Sequence, residues 1–298
     1  MRILVTGGSG FIGRHVVAAL QDDGHEVAVA DRLPFDDPSV REVTGELEDP
    51  AVRDAAVAAG TDAVVHLAAE TSVLGSMERP ARVHRVNVDV TGALLELCRE
   101  RGVGVFALAS TNAVVGSYAG TFTEDVPLAP LTPYGATKAA CEMLASGYSG
   151  AYGLLTPVLR LTNVYGPGMR HKDSLIPRLM RAAAEGGGVQ VYGDGLQRRD
   201  LVHVHDVASA FSAAATEWPS GPVIIGSGVS HTVLDLVETA REASGAPIPV
   251  EHMPSRPGEM REVVVDITRA RERGFRPSVT LLEGVSMAWA DFAPSTAH

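Results

Sequence analysis

A chain of 298 residues with 45% apolar content can bury a sizeable core, as one large domain or two intimate ones, and is too apolar to be disordered. Its net charge of −11 and pI near 5.4 argue against nucleic acid as a main partner, which would need a basic face. A small anionic ligand stays open, because a few placed arginines suffice to hold one.

The first strand-like run, Arg2–Thr6, starts at residue 2, so no targeting segment is expected and a cytoplasmic location is read. No run of about 18 apolar residues occurs, so no membrane span or membrane partner is expected. TGGSGFIG follows the strand and opens a helix-like stretch, Gly10–Gln21. Gly8-x-Gly10-x-x-Gly13 fits the dinucleotide fingerprint, and Gly7-x-x-Gly10-x-x-Gly13 fits its short-chain dehydrogenase variant. Glycine permits the tight turn and lets backbone N–H groups approach a pyrophosphate at the helix N-terminus. The second run, Glu26–Ala30, leads to Asp31, 18 positions after Gly13. A carboxylate there would accept both ribose hydroxyls of NAD and repel the extra phosphate of NADP. Arg32 beside it keeps NADP open.

Further pairs follow in order: helix-like Pro50–Ala59, strand-like Ala63–Ala68, helix-like Ala81–Arg101, strand-like Val103–Ala109, helix-like Pro133–Tyr152 and strand-like Val158–Leu161. This alternation predicts an α/β fold, with a parallel sheet covered on both faces. Cys98 and Cys141 fall in two of the helices, form no CxxC, and are read as reduced, partly buried thiols.

Tyr134 and Lys138 are four apart and share one helix face. Thr132-Pro133 reads as an N-cap followed by proline in the first turn. A free tyrosine, with a pKa of about 10, is a poor base at neutral pH. A nearby ammonium and a cationic nicotinamide ring would favour its phenolate, making Tyr134 a general base.

From Tyr165 onward Gly and Pro become frequent, as in YGPGMR, EGGG and YGDG, and the elements shorten. A smaller second lobe is expected here, with Leu201–Ala215 and then Val223–Gly226 returning to the sheet. The division expected is residues 1–166 plus 200–227 for the NAD-binding part, and 167–199 plus 228–298 for the substrate lobe. His203 and His205 would share a strand face, but no third ligand is evident and no metal is expected. Asp206 is read as capping the helix that follows.

Taken together, TGGSGFIG (6–13), VVHLAA (64–69), VNVDVTG (86–92), YGATK (134–138), RLTNVYGPG (160–168), GDGLQRRDLVHVHDVA (193–208) and RPGE (256–259) resemble the extended short-chain dehydrogenase/reductase family, the NAD-dependent sugar-nucleotide epimerases and dehydratases. The resemblance covers nearly the whole chain. It implies a Rossmann-like doubly wound parallel sheet with a smaller α/β C-terminal lobe that binds a nucleotide-diphosphate sugar. For NAD it implies contacts at Gly7, Gly10, Phe11, Ile12, Gly13, Asp31, Arg32, Glu46, Leu47, Leu67, Ala68, Ala69, Tyr134 and Lys138. For the substrate it implies Asn163, Arg199 and Arg256 on the diphosphate, and it turns the loop of Ser72 and Ser76 toward the sugar, although turn and cap roles suit those two serines equally. Asn112 is placed with the substrate contacts. The helices around 81–101 and 133–152 would form a four-helix homodimer interface.

Residues 109–116 read ASTNAVVG. Aligned back from Gly116, Thr111 resembles the third catalytic member beside Tyr134 and Lys138. Sugar 4,6-dehydratases carry Asp-Glu at the next two positions, and nucleotide-sugar decarboxylases keep a Glu at the second. Here they are Asn112 and Ala113, neither of which transfers a proton at neutral pH. The expected reaction is therefore 4-epimerisation of a UDP-sugar through a transient 4-keto intermediate. An NAD(P)H-dependent 4-ketoreductase acting on a dTDP-4-keto-deoxysugar is the first alternative. A non-catalytic cofactor-binding regulator is the second, and it would predict a damaged triad.

Overall fold

The computed structural model describes residues 1–255 and 262–293. Its elements run β1 (Arg2–Thr6), α1 (Phe11–Asp22), β2 (Glu26–Asp31), β3 (Arg41–Thr44), α2 (Pro50–Ala56), β4 (Ala63–His66), α3 (Val73–Glu78), α4 (Pro80–His84), a π-turn (Arg85–Asp89), α5 (Val90–Arg101) and β5 (Val105–Thr111). A 3₁₀ turn (Asn112–Val114), β6 (Thr121–Phe122), α6 (Pro133–Tyr152), β7 (Pro157–Leu161) and β8 (Asn163–Tyr165) complete the first part. The rest is α7 (Leu175–Glu185), β9 (Val189–Tyr192), β10 (Arg198–His203), α8 (Val204–Thr216), β11 (Gly221–Ile225), β12 (Ser230–Thr232), α9 (Val233–Ser244), β13 (Val250–Met253), β14 (Val264–Val265), α10 (Thr268–Glu272) and α11 (Leu281–Trp289).

Among the described residues, seven strands form one parallel sheet in the order β11-β7-β5-β4-β1-β2-β3. Its central strands are apolar nearly throughout, because helices cover both faces: β4 is buried along its whole length, as are four of the five residues of β1. One core cluster packs α1 and α8 on one face, and a second packs α5 and α6 on the other. This is the Rossmann-like doubly wound architecture. Strand order reverses between β1 and β4, so the carboxyl ends of β1, β2, β4 and β5 open onto a crevice. In open α/β sheets that crevice is where ligands bind.

Three expectations need correction. Leu201–His203 does not rejoin the main sheet. It belongs to β10, which pairs in parallel with β8 and antiparallel with β12 in a separate three-stranded sheet; only β11 returns. His205 is not on a strand face with His203 either: it lies in the first turn of α8, and His203 is the N-cap, its Nδ1 accepting from His205 N at 3.3 Å. Asp206 does not cap that helix. Its buried carboxylate accepts from Ser278 N and Oγ at 2.9 and 2.8 Å, tying a distant segment to α8.

Candidate active site

The crevice is a cavity of about 1050 Å³. At its floor the chain turns from β1 into α1 on the glycine run. Gly7 sits at φ +74°, and Gly10 N donates to Gly7 O at 3.1 Å. A Cβ on Gly13 would stand 2.2 Å from Gly7 O and 2.6 Å from Gly8 Cα, so no larger residue fits. Asp31 ends β2 at the lip. Its carboxylate accepts from Ser9 N at 3.1 Å and Leu33 N at 3.0 Å, which holds it facing the glycine turn. Gly7, Gly10, Phe11, Ile12, Gly13, Asp31, Arg32, Glu46, Leu47, Leu67, Ala68 and Ala69 all line the cavity. This glycine cradle, with the carboxylate opposite it, fits a dinucleotide.

Thr111, Tyr134 and Lys138 meet on one wall of the cavity. Thr132 caps α6, its hydroxyl accepting from Gly135 N at 3.2 Å, and Pro133 occupies the first turn, so Tyr134 and Lys138 project from one face one turn apart. Lys138 is 3% exposed, and its ammonium donates to the Ala109 carbonyl of β5 at 3.0 Å. Thr111 closes β5, accepts from Ala113 N at 3.2 Å and is hydrogen-bonded to the Tyr134 phenol. Thus α6 meets the end of β5 at both Tyr134 and Lys138.

The electrostatics revise one expectation. In this site burial pushes the Tyr134 phenol up to about 12, with the Thr111 hydrogen bond pulling the other way. Burial also lowers Lys138, opposed by Cys141 and Glu142. Desolvation therefore outweighs any help from the lysine, and Tyr134 stays protonated in the protein alone. His66, beneath the site, is pushed down to about 3 by burial and then by the Lys138 charge. Its ring bridges Thr6 Oγ1 at 2.7 Å and Thr91 Oγ1 at 3.0 Å.

The substrate-side expectations divide. Asn163 and Arg199 line the cavity from β8 and β10. The Asn163 amide donates to the Asp200 carbonyl at 2.9 Å. Ser72 also lines it, with its hydroxyl capping α3 through Gly75 N at 2.9 Å. Ser76 does not reach the cavity: it is fully buried and donates to Val73 O at 2.6 Å, a local helical bond. Asn112 does not reach it either. Its amide is buried in the turn after Thr111, and no described residue pairs with it. Arg256 lies outside the described residues.

Sequence reasoning missed Glu70, Arg82, His171, Lys172, Ser174 and Leu175, which also line the cavity. Glu70 and Arg82 form an ion pair at 3.1 Å across its rim. Glu70 directly follows the Ala68-Ala69 pair, a signal that could have found it; Lys172 sits in a loop with no periodicity to mark it.

The comparisons with known proteins agree with this geometry. The NAD dependent epimerase/dehydratase family model matches residues 3–226, and the chain belongs to that family. A dTDP-glucose 4,6-dehydratase of Streptomyces niveus is 38% identical over 96% of this chain and 90% of its own length. A UDP-glucose 4-epimerase of Corynebacterium glutamicum is 32% identical over 97% of this chain and 95% of its own. The solved UDP-glucose 4-epimerase of Thermus thermophilus, in complex with NAD, superposes with a TM-score of 0.91 at 34% identity, covering 98% of this chain and 99% of that one. The cofactor of this family is NAD, and the residues of the cradle fit it.

Proposed function

We propose that the protein is a UDP-sugar 4-epimerase. Tyr134 takes the C4 hydroxyl proton of the sugar and later returns it, with Thr111 hydrogen-bonded to the same oxygen. Lys138 holds its charge beside them. NAD, when bound, supplies reversible hydride acceptance at C4. The phenol, held near 12 by burial in the protein alone, becomes a competent base as positive charge arrives with the cofactor, because an adjacent cation favours the phenolate. Asn163, Arg199 and Arg256 take the diphosphate. In this reading residues 1–166 and 200–227 carry the cofactor, 167–199 and 228–298 carry the substrate, and helices α5 and α6 meet a second copy.

One observation carries the choice among family reactions. After Thr111 the chain continues Asn112-Ala113, with the Asn112 amide turned into the protein and Ala113 unable to move a proton. Elimination of water needs an acid and a base near C5 and C6. The carboxylates lining the cavity among the described residues are Asp31, Glu46, Glu48 and Glu70. Asp31 is held by the glycine turn, and Glu70 is paired with Arg82. The identity to dTDP-glucose 4,6-dehydratases favours the competing reading, in which the chain dehydrates a dTDP-sugar.

Incubation with UDP-glucose, UDP-galactose and dTDP-glucose separates the two. The expected result is interconversion of the UDP-hexoses with no net change in NAD, and its loss in Tyr134→Phe with folding intact. Formation of a 4-keto-6-deoxy product from dTDP-glucose would refute the epimerase reading, and a fully active Tyr134→Phe would refute the assignment of the base.

A further inference from the structure

The lobe side of the cavity holds a cation that no motif assigns. Lys172 stands in the loop between β8 and α7 and lines the cavity beside His171. Its ammonium has no hydrogen bond or ion pair with any described residue. The acid next to it is already engaged: the two carboxylate oxygens of Asp173 accept from Arg178 Nε and Nη2 at 2.8 and 2.6 Å, and Arg181 Nη2 is 3.4 Å from one of them. The loop backbone is held in place too. Arg181 Nη1 donates to the carbonyls of Arg170 and Lys172 at 3.1 and 3.0 Å, and Lys172 N donates to Met169 O at 2.8 Å.

A partly buried ammonium has lost hydration. Burial pushes Lys172 below the usual lysine range, and no neighbouring acid opposes the shift. A charge so placed on a cavity wall gains most from an oxyanion brought by the ligand. Asn163 and Arg199 face the same cavity from β8 and β10, which lie side by side with Leu201 opposite Asn163. Tyr134, Thr111 and Lys138 come instead from β5 and α6.

We propose that Lys172 is a substrate-binding residue that grips the diphosphate of the nucleotide sugar from the lobe side of the cavity, alongside Arg199. The proposal rests on the nucleotide-sugar reading above. The wild-type protein, Lys172→Met and Lys172→Arg are titrated calorimetrically with UDP, UMP, uridine and UDP-glucuronate, and with dTDP in parallel. Lys172→Met should weaken UDP about tenfold while uridine changes by less than about twofold, and Lys172→Arg should retain most of the UDP affinity. Unchanged UDP affinity in Lys172→Met, or equal losses for UDP and uridine, would overturn the proposal. Normal UDP binding with weakened UDP-glucuronate would assign Lys172 to a sugar carboxylate and overturn the diphosphate role. A preference for dTDP alters the base and leaves the diphosphate test intact. Wild-type protein that binds neither diphosphate would overturn the nucleotide-sugar reading, and this proposal with it.

Discussion

Arg160→Met is the most informative single perturbation of the frame behind the site. Arg160 rises from β7, and its Nε stands 3.1 and 3.2 Å from the two carboxylate oxygens of Glu142 on α6, with Nη2 at 2.8 Å from Oε2. Its Nη1 donates to the Glu124 carbonyl at 3.1 Å, and Ser110 of β5 donates to the same Glu142 carboxylate. Both charged side chains are 4% exposed. The Glu142 carboxylate thus ties α6, which carries Tyr134 and Lys138, to β7 through Arg160 and to the end of β5, which carries Thr111, through Ser110. Methionine keeps much of the arginine volume and removes the charge, leaving the Glu142 carboxylate buried with Ser110 alone. Breaking a buried pair from one side costs about 3–5 kcal/mol, whereas replacing both partners by apolar groups is often near neutral. At about 2–4 °C per kcal/mol for a large domain, the single variant should melt roughly 10 °C below the wild type. The double variant Arg160→Met with Glu142→Leu should recover most of that, less about 1 kcal/mol for the orphaned Ser110 hydroxyl. Thermal and urea unfolding followed by circular dichroism read both. A single variant within about 0.5 kcal/mol of the wild type, or a double variant as unstable as the single, would refute the argument that the stranded carboxylate is the cause.

Gly13→Ala should purify with less than about a tenth of the wild-type NAD content, since its Cβ would meet Gly7 O at 2.2 Å and must spread the glycine turn; release of bound dinucleotide on denaturation, counted against protein, checks this, and normal content would show that the turn yields. His66 sets an acid limit on stability. Its folded pKa of about 3 lies below the ordinary value near 6.5, so the folded protein binds fewer protons between these values. The stability it contributes is present above about 6.5 and is lost as pH falls toward 3, by about 2 kcal/mol at about pH 5. Urea midpoints compared at these pH values should fall less in His66→Asn than in the wild type, and parallel slopes would sink the assignment.

Much of the fold was legible because it is written locally. β1 and α6 have the bounds read from their apolar runs, and Thr132 and Pro133 start α6 as the capping chemistry predicts. The glycine spacing marked the cradle, and the four-residue step from Tyr134 to Lys138 put both on one face of α6. β3, at the sheet edge, was missed because it is short, mostly polar and largely exposed. α3 was missed because a six-residue helix leaves almost no periodic signal.

What the sequence by itself carried was the alternation of the main strands and helices, the glycine cradle, and the helix face shared by Tyr134 and Lys138, each written in residues close together in the chain. Only the tertiary structure decided that Ser72 faces the cavity while Ser76 is sealed in α3, that Asn112 turns inward, that β10 leaves the main sheet, and that Lys172 stands uncompensated on the cavity wall. It also showed that burial raises the Tyr134 phenol in the protein alone. Desolvation and the choice of partner are set by segments far apart in the chain, and a local pattern carries no record of which of them will close over a given side chain.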